Sequence, residues 1–233
     1  MIACVLIPYF ATAIERQQHP MLESIPLLLV KYGTKRSKTV AVSVEAAKTG
    51  AEAGMFLSRA RGLSPTAQLV TFDEQRMQQL ALDPLLRLLW DYTNRVEVDE
   101  TAYPQTGVFY LDLGNLRDED ALYLGEKLQN AVQQQFHSSL SISVGLASGK
   151  FPAYVAASTR INQITLVPRR QEGTFVASCS TTLLPASKET ARRLAILYVR
   201  QLGQFAALPR EAVIAQFGRE GKLLYALAQG LDG

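Results

Sequence analysis

Six consecutive apolar residues, IACVLI, follow Met1, and the run stops at Pro8. A stretch apolar on both faces suits a strand covered on both sides. Pro8 then suits the start of a helix over residues 9–18, because a proline at the first helical position gives up only an N–H that has no partner there. A strand running straight into a helix is a place where a metal or a phosphate can be held, since the helix start presents unpaired N–H groups. The residues at this junction, Leu6 and Pro8, therefore carry unusual weight.

Further along, IPLLLVKYG reads as a second strand ending at Gly33, and the basic run GTKRSK (residues 33–38) as a solvated turn before a third strand, TVAVSV. EAAKTGAEAGM and LSRARGLSP read as short helices, the first cut by Gly50 and Gly54, the second ending before Pro65. Residues 73–92 have helical apolar spacing with Pro84 as a break. NRVEVDE and GVFYLDL look like strands separated by the loop TAYPQT, residues 119–136 like a long helix, LSISVGLASGK like a buried strand, and residues 151–160 like a helix. Strand, helix, strand, strand, helix, strand in one antiparallel sheet is a ferredoxin-like arrangement. After Pro168 a short TFVASCS precedes helical material punctuated at Pro209, Gly218 and Gly230. The expected fold class is α+β.

Composition removes several classes of function. The 233 residues are long enough for a sizeable core, 48% are hydrophobic and 19% charged, and the net charge of +3 permits a polyanionic partner without demanding one. Cys4 and Cys179 are far apart and His19 and His137 stand alone, which argues against a disulfide framework or structural zinc. No apolar run nears the roughly 20 residues of a membrane span, and no signal-peptide pattern precedes the opening strand. The expected compartment is the cytoplasm, with no membrane partner. Gly50, Gly54 and Gly145 are expected to serve backbone geometry, through positive φ or close approach of chains.

Four motifs, in order, resemble the Y-family (translesion) DNA polymerases: the opening strand and helix ending in AIER, then VEAAKTGAEAGM, FYLDL and SVGLASGKFPAYVAAS. FVASCSTTLLP and PREAVIAQFGREG are similar to the thumb of the ImuB-like branch, which is polymerase-related but non-catalytic. The resemblance implies a ferredoxin-like palm (residues 1–8 and 75–166), inserted small α/β fingers (9–74) and a C-terminal helical thumb (167–233). It does not extend to a little-finger domain.

Two-metal phosphoryl transfer needs clustered carboxylates, because Mg²⁺ takes oxygen ligands that an apolar side chain cannot supply. By resemblance, the first metal carboxylate falls on Leu6, the next acidic residue on Pro8, and the Asp-Glu pair on Gly107 and Val108. The triphosphate-contacting Tyr and Arg fall on Val44 and Ala47, and the sugar-excluding aromatic on Ala11; only Lys150 keeps a phosphate-binding residue of the family. The resemblance thus implies a pseudo-polymerase with no catalytic residues and no metal cofactor. Its role would be that of a DNA-binding or scaffold component of DNA repair and translesion synthesis in the SOS response. Primer-template DNA, damaged DNA included, would be met at Lys150 and, in the thumb, at Lys188, Arg192 and Arg193. Protein partners implied are the sliding clamp, an error-prone replicative-type polymerase and an accessory mutagenesis factor.

Other readings stay open. Asp99 and Glu100 in VDETAY, with Asp112, could be a relocated Mg²⁺ set of a divergent active DNA-directed DNA polymerase, or Asp99 and Glu100 a solvated strand end. Lys150 could be an ordinary surface lysine. QLGQF (residues 201–205) fits a loose clamp-binding pattern, although Leu202 and Phe205 at helical spacing suit core packing better. LLPASKETARRLA lacks the Gly-x-Gly turn of a helix-hairpin-helix, so DNA binding there would be electrostatic and indifferent to sequence. A protein-interaction module touching neither nucleotide nor DNA is the third possibility.

Overall fold

The computed structural model describes residues 1–32, 36–136 and 140–232. Gly33, Thr34 and Lys35 of the basic turn, and His137, lie outside the described residues. The chain is α+β. Its strands are β1 (Ile2–Ile7), β2 (Leu27–Val30), β3 (Thr39–Val42), β4 (Gln68–Thr71), β5 (Val96–Val98), β6 (Gly107–Asp112), β7 (Ser143–Ala147) and β8 (Ile164–Leu166). The first helices are α1 (Phe10–Gln18), α2 (Val44–Lys48), α3 (Leu57–Leu63), α4 (Glu74–Met77), α5 (Asp83–Trp90) and α6 (Asp118–Gln135). They are followed by α7 (Lys150–Thr159), α8 (Glu172–Ala177), α9 (Lys188–Ile196), α10 (Leu202–Ala206) and α11 (Arg210–Ala228).

The larger sheet has the order β5-β6-β1-β7-β8 and the smaller β3-β2-β4. The opening apolar run is β1, with every residue from Ala3 to Ile7 buried. β2 pairs antiparallel with β3 and parallel with β4, Leu28 standing opposite Val42 on one side and Leu69 on the other. β7 and β8 run parallel, Val144 opposite Ile164, so the larger sheet is not wholly antiparallel as expected. The reason is the crossover: α7 carries the chain from the end of β7 back to its start, and a strand entered that way must run parallel.

The chain divides into two compact units, one of Met1–Val5, Tyr110–Lys127 and Ser143–Gly233, the other of Leu6–Phe109 and Leu128–Ile142. In the first, α7 to α11 enclose a core of Phe151, Val155, Leu194, Leu202, Phe205 and Leu224, with Phe217 and Tyr225 edge-on to Phe205. α11 breaks at Gly218, whose φ of 61° is left-handed, as its place among the punctuating residues suggested. Glu220, two residues on, accepts hydrogen bonds from the Ser187 N–H at 2.5 Å and the Thr190 hydroxyl at 2.6 Å, closing the start of α9.

In the second unit, a small apolar cluster of Leu28, Val30, Val42, Ala46, Leu57 and Ala60 holds α2 and α3 against β2 and β3. Arg16, the arginine of AIER, ties α1 to the same region. It donates to Glu45 at 2.5 Å, to the Ile25 carbonyl at 2.8 Å and to the Leu22 carbonyl at 3.2 Å. Its side chain is 15% exposed, so removing it strands an acid and two carbonyls. Arg16→Ala is expected to cost about 2–3 kcal/mol in urea unfolding.

Burial pushes the Glu45 carboxyl upward, but its hydrogen bonds from Arg16 and Ser43 outweigh that and hold it below its ordinary 4.5. A lowered folded value means stabilisation that is present above the ordinary value and lost as pH falls below it. The Arg16→Ala stability difference is therefore expected to shrink as unfolding is measured below about pH 4.5.

Candidate functional site

The β1–α1 junction joins strand to helix as read from the sequence, but Pro8 stands two residues before the helix rather than at its first position. Tyr9, at φ 55°, makes a left-handed step between strand and helix, and α1 begins at Phe10. Leu6 is 9% exposed and Phe10 is fully buried. Beside them, β6 begins at Gly107, where a Cβ would lie 3.0 Å from the Phe109 ring and 3.3 Å from the Phe10 ring. Those two rings stack edge-on at 6.4 Å, and Tyr103 tilts against Phe10 at 6.2 Å. Val108 is 1% exposed. Leu6 and Val108 are thus buried, and a side chain added at Gly107 would meet two aromatic rings.

The loop between β5 and β6 is built by Asp99. Its carboxylate accepts from the Thr101 N–H at 2.9 Å and the Thr101 hydroxyl at 2.6 Å, an Asx turn that also receives the Ala102 N–H at 3.4 Å. Glu100 is exposed. Asp112, at the end of β6, accepts from the Gly114 N–H at 2.9 Å. Among the described residues, no three His, Cys, Asp or Glu side chains are grouped so that they could hold a metal ion.

The same loop meets α1. The Phe10 N–H donates to the Gln105 carbonyl at 2.9 Å and the Ala11 N–H to the Pro104 carbonyl at 3.1 Å. Gln105 reaches on to β3, where its Oε1 accepts the Val42 N–H at 2.7 Å and its Nε2 donates to the Val42 carbonyl at 3.1 Å. Tyr103 and Pro104 wall a cleft of about 620 Å³ that Lys31, Val40, Phe72 and Glu74 also line. Burial, with a smaller contribution from Glu74, raises the Tyr103 hydroxyl to about 12, so it stays protonated. Ala11 is buried in α1, and Val44 and Ala47 are half-buried on α2.

Lys150 is the first residue of α7, and its ammonium lies 5.9 Å from the centre of the Tyr110 ring. The start of α7 is capped by the chain itself: Asp232 accepts the N–H groups of Lys150 and of Phe151, the latter at 2.9 Å. The neighbouring Ser148 hydroxyl donates to Glu172. Lys188, Arg192 and Arg193 share α9 and are exposed, but Arg193 is already engaged by Glu189 at 2.7 Å and by the Gln216 carbonyl at 3.3 Å.

The turn that ends α9 uses no glycine. Tyr198 takes the left-handed position at φ 55°, the Val199 N–H reaches the Leu194 carbonyl at 3.0 Å, and the Tyr198 N–H reaches that of Ala195 at 3.1 Å. The Arg200 guanidinium lies 5.6 Å from the Tyr198 ring. Leu202 and Phe205 of QLGQF are fully buried in the adjoining core, so this stretch packs as a helix. Gln105, Asp232 and Tyr198 were not singled out from the sequence. Nothing in their local spacing marks them, because each acts through a contact or a backbone angle set by the fold.

The family model IMS, described as impB/mucB/samB, matches residues 5–158, more than half of the chain. The chain belongs to the impB/mucB/samB family. Relatives of this IMS protein include a DNA polymerase IV of Pseudomonas entomophila, 28% identical over 96% of this chain and 62% of that protein. Another is a DNA polymerase IV of Methanoculleus marisnigri, 27% identical over 96% of this chain and 61% of that protein. The chain thus spans about three fifths of the length of these relatives. Among solved structures, DinB from Sulfolobus solfataricus superposes with a TM-score of 0.83 at 22% identity, over 98% of this chain and 67% of that one. An insertion ternary complex of Dbh DNA polymerase gives 0.77 at 22% identity over the same shares. At that identity the likeness is one of fold, and it bears out the α+β palm, fingers and thumb architecture. The Y-family polymerase resemblance holds at the level of the superfamily. Among the described residues no helix is long and apolar enough to cross a membrane.

Proposed function

We propose that this IMS protein is a catalytically inactive, ImuB-like member of the Y-family superfamily that binds DNA or acts as a scaffold in repair and translesion synthesis. Carrying the reading is the set Leu6, Gly107 and Val108 at the positions where the family resemblance puts the metal carboxylates, with the rings of Phe10 and Phe109 crowding the space a side chain at Gly107 would need. Palm, fingers and thumb take the bounds drawn from the motifs, residues 1–8 with 75–166, 9–74 and 167–233.

DNA contact is assigned to Lys150, Lys188, Arg192 and Arg193. The sliding clamp, an error-prone replicative-type polymerase and an accessory mutagenesis factor follow from the family resemblance. A primer-extension assay with Mg²⁺ or Mn²⁺ is the direct test: no nucleotide incorporation is expected, and metal-dependent extension by the pure protein overturns the proposal.

Binding to primed DNA is expected to be electrostatic, its affinity falling as salt rises because counterions are released from the phosphates. Lys188→Ala/Arg192→Ala is expected to lessen the salt slope by about 2, whatever the DNA sequence. A parent protein with no affinity for primed DNA at low salt would leave the protein-interaction module as the better reading.

The names of the relatives, DNA polymerase IV, favour a second reading in which Asp99, Glu100 and Asp112 serve Mg²⁺ in a divergent active polymerase. Against it stands the use of Asp99 as the acceptor that shapes its own loop. In that reading Asp99→Asn abolishes incorporation; in ours there is none to abolish.

A further inference from the structure

We propose that the loop of residues 101–106 blocks the β1–α1 junction, its carbonyls taking the first N–H groups of α1 so that a nucleoside triphosphate is shut out. The inference rests on the reading of Leu6, Gly107 and Val108 as former metal positions, and adds a second, independent barrier to nucleotide use.

A helix start is a ready anion site because its first N–H groups lack partners inside the helix. Here the Phe10 and Ala11 N–H groups, within five residues of Leu6, are spent on the carbonyls of Gln105 and Pro104. A phosphate could take these donors only by lifting the loop away. Three features resist that. Gln105 is fastened in both directions to the Val42 backbone of β3, 63 residues distant in sequence. The Tyr103 ring packs on Phe10. Asp99 and the hydrogen bond from the Thr106 N–H to the Ala102 carbonyl, 2.9 Å, give the loop its own fold. The loop is electrically neutral and self-satisfied: two carbonyls stand where an anion would otherwise be drawn. Every contact in this set lies within one compact unit of the chain.

The test is a titration of the full chain with a deoxynucleoside triphosphate and Mn²⁺ or Mg²⁺, using the amide signals of Phe10 and Ala11 and their hydrogen exchange as readouts. Parent protein is expected to keep both amides protected and unmoved by triphosphate at about 1 mM, a concentration that would reveal even weak binding. Tyr103→Ala/Gln105→Ala, which removes the ring contact and the Val42 clasp, is expected to speed exchange at both amides at least about tenfold. It is also expected to gain triphosphate-dependent shifts.

Shifts of the parent amides on adding triphosphate overturn the proposal. So does a folded double variant whose amides exchange freely yet still ignore the triphosphate. Should the double variant not fold, the parent titration decides alone. Triphosphate binding by the parent without incorporation overturns the loop's role and spares the inactive reading. Incorporation that appears only in the double variant overturns inactivity and supports the loop's role.

Discussion

Gly145→Ala is expected to lose about 3 kcal/mol or more of stability, the largest effect of a single methyl group among the described glycines. A Cβ at this position of β7 would lie 1.9 Å from the Ala153 carbonyl oxygen and 2.5 Å from the Ala157 nitrogen. Both are backbone atoms of α7, so relief requires moving a whole helix rather than turning a side chain. That helix supplies Phe151 and Val155 to the core it shares with α8 to α11, so a shift would be felt through the helical region. Urea unfolding read by circular dichroism measures the effect. Gly62→Ala on α3, where a Cβ meets nothing within 4 Å, is the matched control and is expected to be neutral or to stabilise by up to about 1 kcal/mol. Equal behaviour of the two variants would mean that α7 does not approach β7 so closely.

Gly107→Asp, which supplies one of the carboxylates that the proposed reading takes as lost, is expected to cost about 3 kcal/mol and to confer no metal-dependent incorporation. The new Cβ would press on the Phe109 and Phe10 rings. Its carboxylate would sit in a fully buried position with rings and aliphatic groups around it, and a buried charge without partners is strongly disfavoured. Gly107→Ala separates the two causes: it keeps the steric pressure, omits the charge, and is expected to cost about 1 kcal/mol. Denaturant midpoints of both variants, with Mn²⁺ binding followed by electron paramagnetic resonance, make the comparison. A stable Gly107→Asp protein that binds Mn²⁺ tightly would show that the metal site survives in all but one residue.

Much of the architecture was legible because it follows from local rules. The apolar run at residues 2–7 is a strand, the 3.6-residue spacing after residue 118 is a helix, and the break expected at Gly218 is present. Less local elements escaped. β4 (QLVT) and β8 (ITL) have no buried residue, so no buried apolar run marks them, and each becomes a strand by pairing with a neighbour distant in sequence. The turn at Tyr198 escaped for a different reason. A glycine usually signals a left-handed helix end, whereas here the packing of Val199 and Leu194 into a common core holds a tyrosine in that conformation.

By itself, the sequence determined that Leu6 and Pro8 offer no side-chain oxygen at the junction in any fold. It also determined the order of motifs that marks the family, because local patterning survives without knowledge of contacts. What fills the site was decided only by tertiary structure. The clasp between Gln105 and Val42, the cap that Asp232 places on α7 from 82 residues away in sequence, and the close approach at Gly145 all join distant segments. Such contacts depend on how helices and strands pack in three dimensions, and no periodicity along the chain records that.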